Sequence, residues 1–214
     1  MTRIEKLLSI SSKALAPSPP SDGGIADGYA LAPELMQMLE RRNGFYAFES
    51  ALHVFPCSSD PAAGMNFKLW NSNSLWRSHY QDLAAGLLFF AEDMVQDQFC
   101  LSTKGVLRFH AETGETEFFA ASIESWADII LRDYECETAW PLAREWQAKQ
   151  GPLAPGTRLM PKTPFFLGGP YAMENLWAGD AVEGMRFKAD LAIDTRGLAD
   201  GTQIRLVIGE KPKT

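Results

Sequence analysis

LLFFAEDMVQDQFCLSTKGVLRFHAETGETEFFA, residues 87–120, is a series of short apolar runs separated by polar turns. Leu87–Ala91 has the length and composition of a strand buried on both faces. Glu92–Asp97 follows as a loop, and Phe99–Leu101 reads as the neighbouring strand. Val106–His110 and Glu115–Ala120 flank Glu112-Thr113-Gly114, which has the composition of a hairpin turn. Connections this short join antiparallel partners. The middle of the chain therefore predicts a run of antiparallel strands.

Helical signals lie on both sides of that run. Residues 2–10 place Ile4, Leu7 and Leu8 on one side of a short first helix. The Ser-, Pro- and Gly-rich stretch 11–24 reads as a mobile connection. A helix over 32–42 is marked by Pro33 and Glu34 at its start, by Leu35, Met38 and Leu39 as its buried stripe, and by Asn43-Gly44 as its stop. Within 45–56, Ala51–Phe55 is the favoured strand, and Asn71 or Asn73 is placed to cap a further helix. Ser122 caps a helix carrying Ile123, Trp126, Ile130 and Tyr134 on one face, and a second helix spans about 139–150 with Gly151-Pro152 as its stop. Phe165–Leu167 and Asn175–Trp177 suggest strands. Over 185–193, alternating apolar residues fit a strand, whereas the Ala, Met, Leu and Lys content favours a helix. Asp200-Gly201 turns into a last strand over 202–208. The predicted class is α+β, with a central mainly antiparallel sheet flanked by helices and a C-terminal α/β extension.

The chain has 214 residues, 46% hydrophobic, which suits a folded chain of one domain, or of one domain with an appended subdomain. Its longest apolar run, Leu83–Ala91, is too short to cross a bilayer. Charged and polar residues interrupt the signal-peptide-like start, so the expectation is a soluble, cytoplasmic protein. The net charge of −7 sits in the middle: residues 51–136 hold 5 basic and 12 acidic side chains. Such a surface repels phosphate backbones and attracts a basic protein. Cys57, Cys100 and Cys136 form no CxxC pair, and buried packing is their favoured role over nucleophilic chemistry.

Glu92, Asp93 and Asp97 are the one carboxylate cluster with a chemical alternative, as oxygen ligands or as acid and base. Their loop contains no His, Lys or Arg and lacks the glycine of a calcium-binding loop. His53, His79 and His110 sit in no metal-binding spacing. No GxSxG or phosphate-loop string occurs. No cofactor or metal site is therefore expected.

Several stretches together resemble the SUKH superfamily, which joins fungal cell-wall assembly regulators of the SMI/KNR type to bacterial immunity proteins of polymorphic toxin systems. They are Arg42-Asn43-Gly44-Phe45 with Ala47-Phe48-Glu49, then Phe89-Phe90-Ala91-Glu92-Asp93 leading to Asp97-Gln98-Phe99-Cys100-Leu101, and the Glu112-Thr113-Gly114 hairpin followed by Ser122 and Trp126. Gln96 stands where a glycine is commoner. The resemblance covers roughly residues 32–136, and Pro164–Gly169 with Asn175-Leu176 looks like the C-terminal extension of a longer bacterial branch. It implies an N-terminal helix and linker (1–30), a SUKH-like core (31–151) and an extension packed on it (152–214). It also implies a non-enzymatic, protein-binding role, with immunity proteins of this kind binding and blocking a cognate toxin, often a nuclease. On that expectation Glu92, Asp93, Asp97, Glu112, Glu115 and Glu117 would mimic phosphate in the partner's cationic cleft. A regulatory scaffold with several partners is the alternative, and a metal-dependent hydrolase using the acidic loop is the third.

Overall fold

Six strands pair antiparallel in chain order: β1 (Phe45–Ala47), β2 (Leu52–Val54), β3 (Leu88–Glu92), β4 (Gln98–Ser102), β5 (Gly105–Phe109) and β6 (Thr116–Ala120). The computed structural model describes residues 1–58, 60, 64–199 and 201–204, and its class is α+β. Every residue of β3 and β4 is buried. The reason is that aromatic side chains cover the sheet on both sides, so neither face needs the polar alternation of a half-wet strand. On one face Trp76 meets Phe89 and Tyr80 meets Phe109, each with ring centroids 5.0 Å apart. On the other, Trp126 sits 5.2 Å from Phe90 and 5.8 Å from Phe99.

The helices on the Trp126 side cap one another. In α1 (Arg3–Ser9), the Arg3 and Ile4 amides donate to Glu124 of α4 (Ile123–Arg132). The Ile123 amide at the start of α4 in turn donates to Glu34 of α2 (Ala32–Arg41) at 2.9 Å. Each carboxylate thus satisfies orphan donors at another helix's positive end. Ser122 caps α4 with Ser125 in reciprocal bonds. The predicted stripe reaching Tyr134 is broken at Asp133, and Tyr134 opens the separate α5 (Tyr134–Glu137). After α6 (Trp140–Gln150), β7 (Thr157–Pro161) and β8 (Leu176–Asp180) pair as a second, two-stranded sheet, and α7 (Ala181–Thr195) is the last regular element among the described residues.

Several local expectations change. Asn71 ends a helix rather than starting one: Asn66 caps the short α3 (Phe67–Trp70), and the buried Asn71 amide bonds the Phe89 N–H and C=O of β3. Phe165–Leu167 is a 3-10 turn, closed by the left-handed Gly168, and not a strand. β7 replaces it as the partner of β8. Residues 185–193 lie within α7, as the composition favoured. Residues 202–204 have no regular structure, and Asp200 and 205–208 lie outside the described residues. The stretch 11–24 is tied down along the outer edge of β1: the Ser12 amide donates to Tyr46 O at 2.7 Å, the Leu15 amide to Gly44 O at 3.0 Å, and the Asn43 side chain to Ser18 O at 2.9 Å. That edge of the sheet is consequently closed by the chain itself. Gly44 is required at the start of β1, since its φ is +69° and a Cβ there would lie 2.6 Å from Pro56.

The β1–β2 turn holds three consecutive non-glycine residues in the left-handed region, Phe48 (φ 52°), Glu49 (φ 54°) and Ser50 (φ 71°). Gln147 of α6 donates to Glu49 O at 2.7 Å and Arg158 of β7 to Ser50 O at 3.3 Å, so contacts from the later chain fix the turn. Each such residue costs about 1–2 kcal/mol. Glu49 is exposed, and Glu49→Gly relieves its strain while adding some unfolded-state entropy. Urea unfolding should show Glu49→Gly more stable than the native chain by up to about 1 kcal/mol. A loss of similar size would show that the turn is not held left-handed.

Candidate functional site

Glu92, at the end of β3, is 2% exposed and lies at the centre of a polar cluster assembled from four strands. Arg158 Nε of β7 donates to its Oε1 at 2.8 Å, His53 Nδ1 of β2 lies 3.1 Å from the same oxygen, and Gln98 Nε2 of β4 reaches Oε2 at 3.4 Å. Gln98 Oε1 in turn accepts the Trp70 indole N–H at 2.9 Å. Burial alone would drive the Glu92 carboxyl up, but Arg158 and His53 outweigh it and hold it below the usual carboxylate value. Burial also lowers His53, which therefore pairs as a neutral ring, donating through Nδ1. Glu92 is thus a structural anion that joins the two sheets. It is not a rim carboxylate.

Asp93 is turned inward as well, at 5% exposure. Its Oδ1 accepts the Val95 and Asp97 amides, both at 2.9 Å, which folds the β3–β4 loop around it. Lys188 of α7, 2% exposed, donates to Val95 O. Burial, and then the neighbouring Asp97, raises the Asp93 carboxyl to about 7. Asp97 takes the opposite course: burial opposes its charge, but His110 Nδ1 at 2.8 Å and the Ala111 amide at 3.0 Å hold it ionised. Its hydrogen bond with Asp97 raises His110. Two carboxylates four residues apart thus shift in opposite directions: His110 and the Ala111 amide hydrogen-bond Asp97, whereas for Asp93 burial and Asp97 outweigh the charges of Arg108 and Lys188.

Beside this loop a cavity of about 210 Å³ opens to solvent. It brings together Asp97, His110, Glu112 and Glu115, with Phe165 and Tyr171 as an aromatic wall. Glu112 is 8% exposed, and its Oε2 accepts the Phe166 amide at 3.0 Å. Glu117 lies outside the cavity, with Oε1 3.5 Å from His110 Nε2. Of the six carboxylates expected at a partner surface, Glu92, Asp93 and Glu112 are interior, Asp97 is half-buried, and Glu115 and Glu117 are exposed. Glu92 is held inside by Arg158 and His53, Asp93 by the Val95 and Asp97 amides of its own loop, and Glu112 by the Phe166 amide. Gln98 pairing with Phe109 places His110 beside Asp97, a signal that the strand register already contained. Arg158 and Lys188 carried no such signal.

The remaining chemical candidates do not assemble. Among the described residues, no group of three or more His, Cys, Asp or Glu side chains is placed to hold a metal ion. Burial pushes the Cys57 thiol up to about 11 and the Cys100 thiol higher still. Cys136 is exposed, contrary to the buried role expected for it, and a hydrogen bond with Asp133 raises its thiol too. None of the three presents a ready thiolate. No helix among the described residues is long and apolar enough to cross a membrane.

Comparison with known proteins adds a likeness of fold alone. No family model matches the chain, and no curated protein matches it. The crystal structure of Atu4351 from Agrobacterium tumefaciens is similar, with a TM-score of 0.58 and 14% identity over 87% of this chain and 88% of that one.

The raised Asp93 carboxyl fixes the sign of a pH effect. The native state retains its proton up to about pH 7, whereas an unfolded chain releases it near 3.8. Stability is therefore lost as pH rises between those values and stays low above them. Asp93→Asn keeps an oxygen acceptor for Val95 and Asp97 and removes the penalty. Relative to the native chain it should gain roughly 1–3 kcal/mol at pH 8, shrinking to none near pH 4, by urea unfolding at each pH. A constant difference across that range would contradict this assignment.

Proposed function

We propose that this chain is a non-enzymatic, protein-binding domain of the immunity type, which neutralises a basic toxin domain, with a nuclease as the favoured class. The observation that carries the reading is the asymmetry of the sheet's two edges. The β1 edge is closed by residues 12–18, whereas β6 ends the sheet with no further strand beside it among the described residues. Thr116, Glu117 and Phe118 of β6 are exposed, as is Glu115 just before it, and Phe118 is 61% exposed despite its size. An open strand edge with an aromatic anchor and carboxylates beside it has the features of a protein-docking element.

The charge distribution supports a basic partner. Arg108 of β5, opposite Glu117 in the sheet, is already engaged: Nη2 lies 2.6 Å from Glu137 Oε2, and its guanidinium packs over Phe99 and Phe119. The exposed carboxylates of Glu115, Glu117, Asp133 and Glu135 are then in excess in the β6 and α5 region. Complementary charge of this kind speeds encounter more than it strengthens the final complex. The resemblance to SUKH immunity proteins points the same way and supplies the toxin as the class of partner. The buried positions of Glu92, Asp93 and Glu112 leave Glu115 and Glu117 as the carboxylates that meet the partner first.

Capture with the tagged chain from its host should retain a basic protein whose toxic activity is lost in the complex. With that partner purified, Glu115→Lys combined with Glu117→Lys should slow association at low salt by about tenfold or more, flatten its salt dependence, and change dissociation far less. Stopped-flow association measured across a salt series reads all three. An unchanged association rate would place the interface elsewhere. Several weak, salt-sensitive partners would favour the scaffold.

A further inference from the structure

The cavity behind the β6 edge contains an unmet hydrogen-bond acceptor. Glu112 is more than nine-tenths buried; Oε2 accepts the Phe166 amide and the Phe165 amide also favours the carboxylate, while Oε1 has no hydrogen-bond partner among the described residues. A buried carboxylate oxygen left without a donor is costly, and burial accordingly raises the Glu112 carboxyl. The charge of Lys188 offsets this burial only in part. Lys188 Nζ donates to Val95 O, and His110 bridges Asp97 and Glu117. Asp97 and Glu115 add two further carboxylates to the cavity lining. Phe165 and Tyr171 stack at 3.9 Å between centroids, and Tyr171 is 63% exposed, which offers an aromatic surface at the opening.

We propose that this cavity is a socket for a guanidinium group, an arginine side chain presented by the basic partner. About 210 Å³ is small for a drug-sized ligand and suited to one inserted side chain. A guanidinium offers several donors in one plane, so it can meet Glu112 Oε1 and a second carboxylate together. Its flat face can lie against Tyr171 or Phe165 at the same time. An ammonium supplies a point charge and no flat face, and matches the aromatic wall less well. The inference rests on the protein-binding reading and specifies what the partner inserts. It also reverses the direction of recognition expected from the carboxylates, since the acid is the concave side and the partner the convex one.

The test is a titration of the full, isotope-labelled chain followed by backbone amide NMR shifts. The probes are N-acetyl-arginine methylamide and its lysine and norleucine analogues. Saturable shifts are expected for the arginine probe at Thr113–Glu115 and Phe166–Tyr171, about threefold or more tighter than for the lysine probe and absent for norleucine. Glu112→Gln retains an acceptor for Phe166 and should weaken the arginine probe by about fivefold. Glu115→Gln, at an exposed position, should weaken it by about twofold and guards against a folding defect at Glu112. Shifts that do not saturate, equal binding of lysine and arginine probes, or full binding by both variants would overturn the socket. If the probe fails while a basic partner still binds through Glu115 and Glu117, the socket alone falls. If the partner is basic and binds Glu112→Gln as tightly as the native chain, the inserted arginine is overturned even where the free probe binds.

Discussion

The buried ion pair between Glu92 and Arg158 is the constraint on which the rest of the molecule depends. It joins the last residue of β3 to β7, 66 positions later, and both side chains are 3% exposed. His53 and Gln98 complete the anion's shell from β2 and β4, and Gln98 passes the constraint on to Trp70 and α3. Desolvating two charges offsets most of their attraction, so such a pair contributes modest net stability. Its effect is positional, because breaking it strands a charge in the interior. Once β7 is fixed there, Leu159 N donates to Met94 O, and the β3–β4 loop is clamped between the sheets.

That clamp determines what the acidic residues can do. Asp93 spends its carboxylate on the turn, Asp97 pairs with His110, and Glu112 turns beneath Phe166. A sequence dense in acids therefore yields a concave acidic cavity beside an open strand, and of the acids between Glu92 and Glu117 only Glu115 and Glu117 project. The closed β1 edge and the open β6 edge make the two ends of one sheet chemically different. Recognition through the open end is the simplest use of that difference.

Much of the fold was legible because its signals are local. The apolar runs within 87–120, Ser122 as a cap, Pro33 in a first turn and Gly151 as a stop all act within a few residues. What escaped is long-range. The stretch 11–24 looks mobile by composition, yet Asn43 and Tyr46 hold it from 25 to 34 positions away. β7 combines Arg158 and Pro161 with only two strongly apolar residues, and it is a strand because Glu92 and β8 receive it. At the site, the sequence displayed the charges but not their partners, so Glu92 and Asp93 looked available to solvent. Phe118 escaped for the opposite reason, since an apolar residue in a strand is expected to be covered.

The most direct measurement of the central claim is hydrogen–deuterium exchange of the chain alone and in complex with the basic partner it retains. Recognition through the open edge predicts new protection concentrated at residues 112–120 and 165–171, with the β1 edge unchanged because residues 12–18 already cover it. Protection confined to α1, α2 or the β1 edge, with β6 exchanging as freely as before, would contradict it.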